Sequence, residues 1–96
     1  MEEFARLAAG SLTVDDEVEI YSNTNGAIVK TIMLYNSNTE VKEITLNLDG
    51  VIFSFSLNSK ETKIISESIV TNLIKITGNG INIHISGIQL GGWIDG

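Results

Sequence analysis

An all-β domain is what this sequence predicts, and three observations predict it. Apolar and polar residues alternate with a period of two from Val18 onward. Valine, isoleucine and threonine are frequent in those stretches, and turn-forming residues interrupt them at roughly the 8–12-residue spacing of a sandwich or barrel. Together these features specify a single small antiparallel β-sandwich, jelly-roll-like or immunoglobulin-like, of about seven strands. With 96 residues the chain forms one domain over its whole length, 1–96, and can bury roughly two thirds of its unfolded surface.

The N-terminal segment departs from this pattern. Met1 to Ala9 places Phe4, Leu7 and Ala8 on one face of a helix, which Ala9-Gly10-Ser11 ends after about two turns. A helix that short is unstable alone, so residues 1–12 are expected to form a short helical arm docked on another surface. At the other end, Gly91-Gly92 opens a tail over 91–96 that carries Trp93, a large aromatic with little local surface to cover. It either folds back on its own sandwich or anchors in a neighbouring subunit, as tryptophans at interface centres do.

Between these ends, two hairpins follow from turn chemistry. Asp49-Gly50 suits a two-residue type I′ turn, in which both central residues take positive φ. The register is then Leu48 opposite Val51, Leu46 opposite Phe53 and Ile44 opposite Phe55 on an apolar face. Asn47 opposite Ile52, Thr45 opposite Ser54 and Glu43 opposite Ser56 form the other, mostly polar face. Asn79-Gly80 predicts a second hairpin by the same reasoning, pairing Ile76 with Ile83, Ile74 with Ile85, and Lys75 with His84. A tight turn at Asn25-Gly26 would place Glu19 against Ile32, so a longer loop through Ser22 to Gly26 is expected there. Further strands are expected at Thr62 to Ser66 and Leu73 to Thr77.

The stretch Ala27 to Asn36 is apolar on both parities, with Ile28, Ile32 and Leu34 on one and Val29, Met33 and Tyr35 on the other. Such a strand is either central and covered on both faces or lies at a subunit interface. The mean hydropathy of +0.19 also suggests more apolar surface than one small core covers, a surplus that usually lies at an interface. Phe4, Leu7, Val29, Met33, Tyr35 and Trp93 are therefore the candidate interface residues, and a homo-oligomer is the expected state.

Charge and composition exclude several classes. Twelve acidic against six basic residues give a net charge of −6, and the cations Arg6, Lys30, Lys42, Lys60, Lys63 and Lys75 are scattered. Nucleic-acid binding needs a clustered basic surface, so it is not expected. The apolar runs are far shorter than the roughly 20 residues of a membrane span, and the acidic start has no basic n-region of a secretory signal. Without cysteine there is neither a disulfide framework nor a thiolate metal site.

Candidate chemistry is sparse. His84 is the only histidine and falls on the polar parity of its strand, where a solvated or interface role fits better than a catalytic one. Asp15, Asp16, Glu17 and Glu19 could offer oxygens to calcium but lack the usual loop pattern, and read better as an acidic guard on a strand edge. Phe53 and Phe55 lie on the apolar face of their hairpin and read as core rather than as a sugar-stacking platform. No cofactor and no catalytic residue is expected, and the chain reads as a non-enzymatic protein. A carbohydrate-binding module on the same scaffold is the alternative, with Tyr21, Asn23, Asn25 and Tyr35 reaching a host-surface glycan.

From Leu7 to Ile88 the order of segments resembles small virion-associated β-sandwich proteins encoded by tailed bacteriophages. The resemblance is carried by Ala8-Ala9-Gly10-Ser11-Leu12-Thr13, Ile20-Tyr21 and the polar loop after it, Ala27 to Asn36, a threonine-containing hairpin strand, and Ile81-Asn82-Ile83-His84-Ile85-Ser86-Gly87-Ile88. It implies a structural or accessory role in the tail, baseplate, fibre or capsid decoration, with other virion proteins as partners. The protein would then be made in the bacterial cytoplasm and reside in the virion.

Overall fold

The computed structural model describes residues 4–91. Among these residues seven strands follow one another: β1 (Phe4–Ser11), β2 (Val18–Asn36), β3 (Lys42–Leu48), β4 (Val51–Leu57), β5 (Thr62–Ile65), β6 (Ile69–Thr77) and β7 (Ile81–Gln89). All pairings are antiparallel, in the order β1-β7-β2-β6-β3-β4, with β5 on the second half of β2. The chain is all-β, as its alternation predicts.

This single hydrogen-bonded sheet folds over itself, and chain length shows why it must. Val18 at the start of β2 pairs with Ile76, and Asn36 at its end pairs with Ile81. Ile76 and Ile81 can be no more than about 18 Å apart along five residues of chain. A straight β2 would separate its own ends by about 60 Å. The strand therefore turns back on itself and belongs to two layers. One layer is β1-β7-β2-β5, using residues 27–36 of β2; the other is β2-β6-β3-β4, using residues 18–29.

Two irregularities accommodate the bend. Ser22 pairs with Leu73 and Ala27 with Thr71, so four residues of β2 lie opposite Asn72 alone. On the other edge, Val29 pairs with Gly87 and Thr31 with Ser86, which leaves Lys30 as a bulge. The Lys30 ammonium donates to Ser68 Oγ at 2.9 Å, across to the segment between β5 and β6. Gly87 is required beside this bulge. A Cβ there would lie 2.9 Å from Val29 Cα and closer still to the Ile28 carbonyl oxygen.

The Lys30 bulge also explains why Ala27 to Asn36 is apolar on both parities. Ala27 and Val29 face the core before it, and Ile32, Leu34 and Asn36 face the core after it. Between the layers these side chains meet Ile44, Leu46 and Leu48 of β3, Ile74 and Ile76 of β6, and Ile81, Ile83 and Ile85 of β7.

Asn36 and Thr71 are the buried polar side chains among the described residues, and Asn36 lies wholly buried at the end of β2. Its amide nitrogen donates to the carbonyls of Glu40 at 2.9 Å and of Leu57 and Asn58 at 3.1 Å. Its Oδ1 accepts from the backbone N–H of Asn38 at 2.9 Å and from the Asn38 side chain at 2.8 Å. One side chain thus ties the end of β2 to the approach to β3 and the exit from β4.

Three expectations are corrected. Residues 4–11 form strand β1 on the edge of β7 rather than a helical arm. A two-turn helix cannot sustain itself, whereas β7 offers an unpaired row of backbone groups. The segment Ser22 to Gly26 is no hairpin loop but the wide irregularity within β2. Asn79-Gly80 likewise closes no hairpin: Asn79 keeps a negative φ, which a type I′ turn forbids, and β6 and β7 lie in different layers. Lys75 accordingly stands opposite Glu19 and Asn47, not His84.

Replacing Gly87 with alanine should destabilise the domain by about 2–3 kcal/mol through overpacking against backbone that cannot yield. Urea denaturation should show a lower midpoint at an unchanged slope, with Ser86→Ala as a near-silent control. Asn36→Ala orphans several buried groups at once and should cost about 3 kcal/mol in the same assay.

Candidate functional site: an open lateral edge

Each layer of the sandwich has two lateral edges. On one side of the molecule these are β4 in one layer and β5 in the other. The β3–β4 hairpin has the register that its turn predicts, from Leu48 opposite Val51 to Lys42 opposite Leu57. Asp49 (φ 55°) and Gly50 (φ 91°) both take the positive φ of a type I′ turn.

The turn is bolted to β6. Asp49 Oδ1 accepts the backbone N–H of Asn72 at 2.9 Å and of Leu73 at 3.0 Å, while the Asp49 N–H donates to the Leu73 carbonyl at 3.0 Å. The backbone hydrogen bond from Asn72 lowers the Asp49 pKa most, with help from the Thr71 side chain and Leu73 N–H and against a desolvation penalty.

What the hairpin does with its apolar face differs from the expectation. Phe53 and Phe55 point toward the space between the layers, yet Phe53 is 50% exposed and Phe55 is only half-buried. The cause is the mismatch across the sandwich: seven-residue β4 is opposed by four-residue β5. An apolar groove is left between them, walled by Leu46, Leu48, Phe53, Phe55, Ile65 and Ile69. Lys63 of β5 reaches over its mouth, with Nζ 5.5 Å from the centre of the Phe55 ring. Ile52, on the other face of β4, is 59% exposed.

The outer faces of the two layers differ. Outside the β6 layer runs the row Glu19, Lys75, Asn47 and Ile52, next to Thr77, Thr45 and Ser54. Outside the β7 layer, Ala9, His84, Met33 and Ile64 lie side by side across four strands, with Tyr35 beside Asn82 and Thr62. Met33 and Ile64 are exposed and Tyr35 is half-buried. Of the sequence-derived interface residues, then, Met33 and Tyr35 share one outer face. Val29 is wholly buried because the bulge turns it inward, and Leu7 packs partly against the core. Trp93 and the side chain of Phe4 lie outside the described residues.

Of the residues of the glycan alternative, Tyr21, Asn23 and Asn25 come together and Tyr35 lies apart from them. The Tyr21 hydroxyl donates to Gln89 Oε1 at 2.9 Å, and the Asn23 amide nitrogen donates to the Tyr21 oxygen at 3.2 Å and to the Gly26 carbonyl at 3.0 Å. These groups, with Asn25 N–H donating to Asn23 Oδ1 at 3.0 Å, hold the wide irregularity of β2. Tyr35 pairs with Asn82, at the opposite end of β7 from Gln89. The acidic lead-in is also dispersed. Asp15 lies 3.9 Å from Lys42 Nζ, and Glu17 accepts from Asn47 at 3.0 Å. Among the described residues no three histidine, aspartate or glutamate side chains are grouped to hold a metal ion.

The signal that could have exposed the open edge was present: β4 is a seven-residue strand without charge, and Thr62 to Ile65 is too short to cover it. No protein-family model matches this chain, and no curated protein does either.

Because Asp49 has a lowered pKa, its contribution to stability is complete above the unfolded value of about 3.9 and is lost as pH falls through the lower folded value. Asp49→Asn should remove that part of the acid sensitivity. Urea titrations between about pH 6 and pH 3 should show the stability gap between the two proteins narrowing as pH falls. Phe53→Ser should cost less than about 1 kcal/mol, against about 3 kcal/mol for the buried Ile74→Ala. Thermal melts of the two variants in dilute solution compare them directly.

Proposed function

We propose that this protein is a non-enzymatic assembly module: a structural or accessory subunit of a phage virion, working through contacts between copies of itself and with neighbouring virion proteins. The observation that carries the reading is the β4 edge. Val51, Ile52 and Phe53 are each at least half exposed on a strand that is paired on one side only. Monomeric proteins blunt such edges, whereas subunits of assemblies use them.

The virion setting comes from the resemblance alone. Three segments that carry it, within residues 8–13, 27–36 and 81–88, run along β1, β2 and β7, which are neighbours in one layer. A tail, baseplate, fibre or decoration protein needs a rigid, small unit with surfaces that repeat by symmetry.

The test is the native mass by light scattering on a sizing column. The expected outcome is a defined oligomer, an integer multiple of 10.4 kDa. A homogeneous monomer at high micromolar concentration would sink the proposal.

A further inference from the structure

Among the described residues four strand edges are open along the sides of this sandwich, and three carry features that discourage pairing. β1 is interrupted by a bulge at Leu7 between Arg6 and Ala8. The free edge of β2 is broken by register shifts between Glu19 and Tyr21 and between Ser22 and Ala27, carries Glu19 and follows Asp15, Asp16 and Glu17. β5 has four residues, one of them Lys63. Only β4 is long, regular in pairing and uncharged from Val51 to Leu57. Short strands, bulges and charges are the devices that keep edges from pairing, and β4 has none of them.

The backbone of β4 fixes which groups are available. A type I′ turn closes on a hydrogen-bonded pair, so Leu48 and Val51 bond each other, as do the residues at every second position beyond. The Asp49 N–H, of opposite parity, donates to Leu73 of β6, in agreement with that assignment. The N–H and C=O groups of Ile52, Ser54 and Ser56 therefore point away from β3, toward the free side.

We propose that β4 pairs with β4 of a second copy, antiparallel about a two-fold axis at Ser54. The proposal rests on the assembly reading and names its contact. In this register Ile52 bonds Ser56 of the other copy, Ser54 bonds its own equivalent, and Phe53 stands opposite Phe55 at a close, non-hydrogen-bonded pair.

The sequence is self-complementary for it. Read in either direction, the inward face runs aliphatic, phenylalanine, phenylalanine, aliphatic through Val51, Phe53, Phe55 and Leu57. Each half-exposed Phe53 gains the partner that its own sandwich lacks, and no like charges are brought together within the paired strands despite the net charge of −6. Because the contact uses one patch twice and the other edges are guarded, it closes as a dimer and does not propagate into a fibre.

Ser54→Lys and Ser54→Glu test it, since each places like charges face to face at the axis on an exposed position. Sedimentation equilibrium of the intact chain should give a dimer. Each variant alone should dissociate on the order of a hundredfold more readily, with its monomer melting as the wild type does. An equimolar mixture of the two should return to the dimer mass. A Ser54→Lys protein that keeps the wild-type mass, or a mixture that stays monomeric, overturns the pairing. An oligomer of another order that ignores both substitutions overturns it while leaving the assembly reading intact, whereas a monomeric wild type overturns both.

Discussion

Gly87 lies so close to the Ile28 carbonyl that β7 can follow β2 past the Lys30 bulge, and the architecture depends on that close passage. The bulge helps β2 bend, the bend lets one strand serve two layers, and two layers give the isoleucines of β6 and β7 a core to share. It also reverses which residues of β2 face inward. Val29 enters the core while Met33 and Tyr35 face out, although all three have the same parity in the sequence. The unpaired Lys30 thus sets which side chains of β2 face outward, and together with the wide irregularity it shapes the sheet.

Polar side chains hold the ends of this folded sheet. Asn36 gathers three carbonyls and one backbone N–H where β2, β3 and β4 come together, and Asn23 and Tyr21 do similar work at the wide irregularity of β2. Asp49 binds the β3–β4 turn to β6. These groups satisfy backbone polar atoms that no ladder can reach, and so serve the scaffold. Their role also accounts for the abundance of asparagine in segments that otherwise read as binding loops.

The side of the sandwich between β4 and β5 is incomplete because the strands that bound it differ in length. The hairpin is rigid, its turn anchored and its register specified, so its exposed phenylalanines are held in place rather than free to collapse inward. A rigid apolar edge is suited to a partner of matching shape, which is the physical basis for the assembly reading.

The sequence by itself determined the all-β class and the β3–β4 hairpin with its register. Period-two alternation and the positive-φ preference of Asp49-Gly50 act over a few residues and need no knowledge of the rest of the chain. It did not determine which strands pair around Asn79-Gly80. Ile74 and Ile76 are buried with Ile81, Ile83 and Ile85 whether the two strands lie side by side or face each other across the core, so the hydrophobic pattern is silent between those arrangements. Over residues 4–11 helix period and strand partner compete, and only the waiting edge of β7 decides for strand. The exposure of Phe53 was equally hidden, since a residue on an apolar face is buried only when something covers that face. What covers it depends on the relative lengths and placement of β4 and β5, which the tertiary structure alone decides.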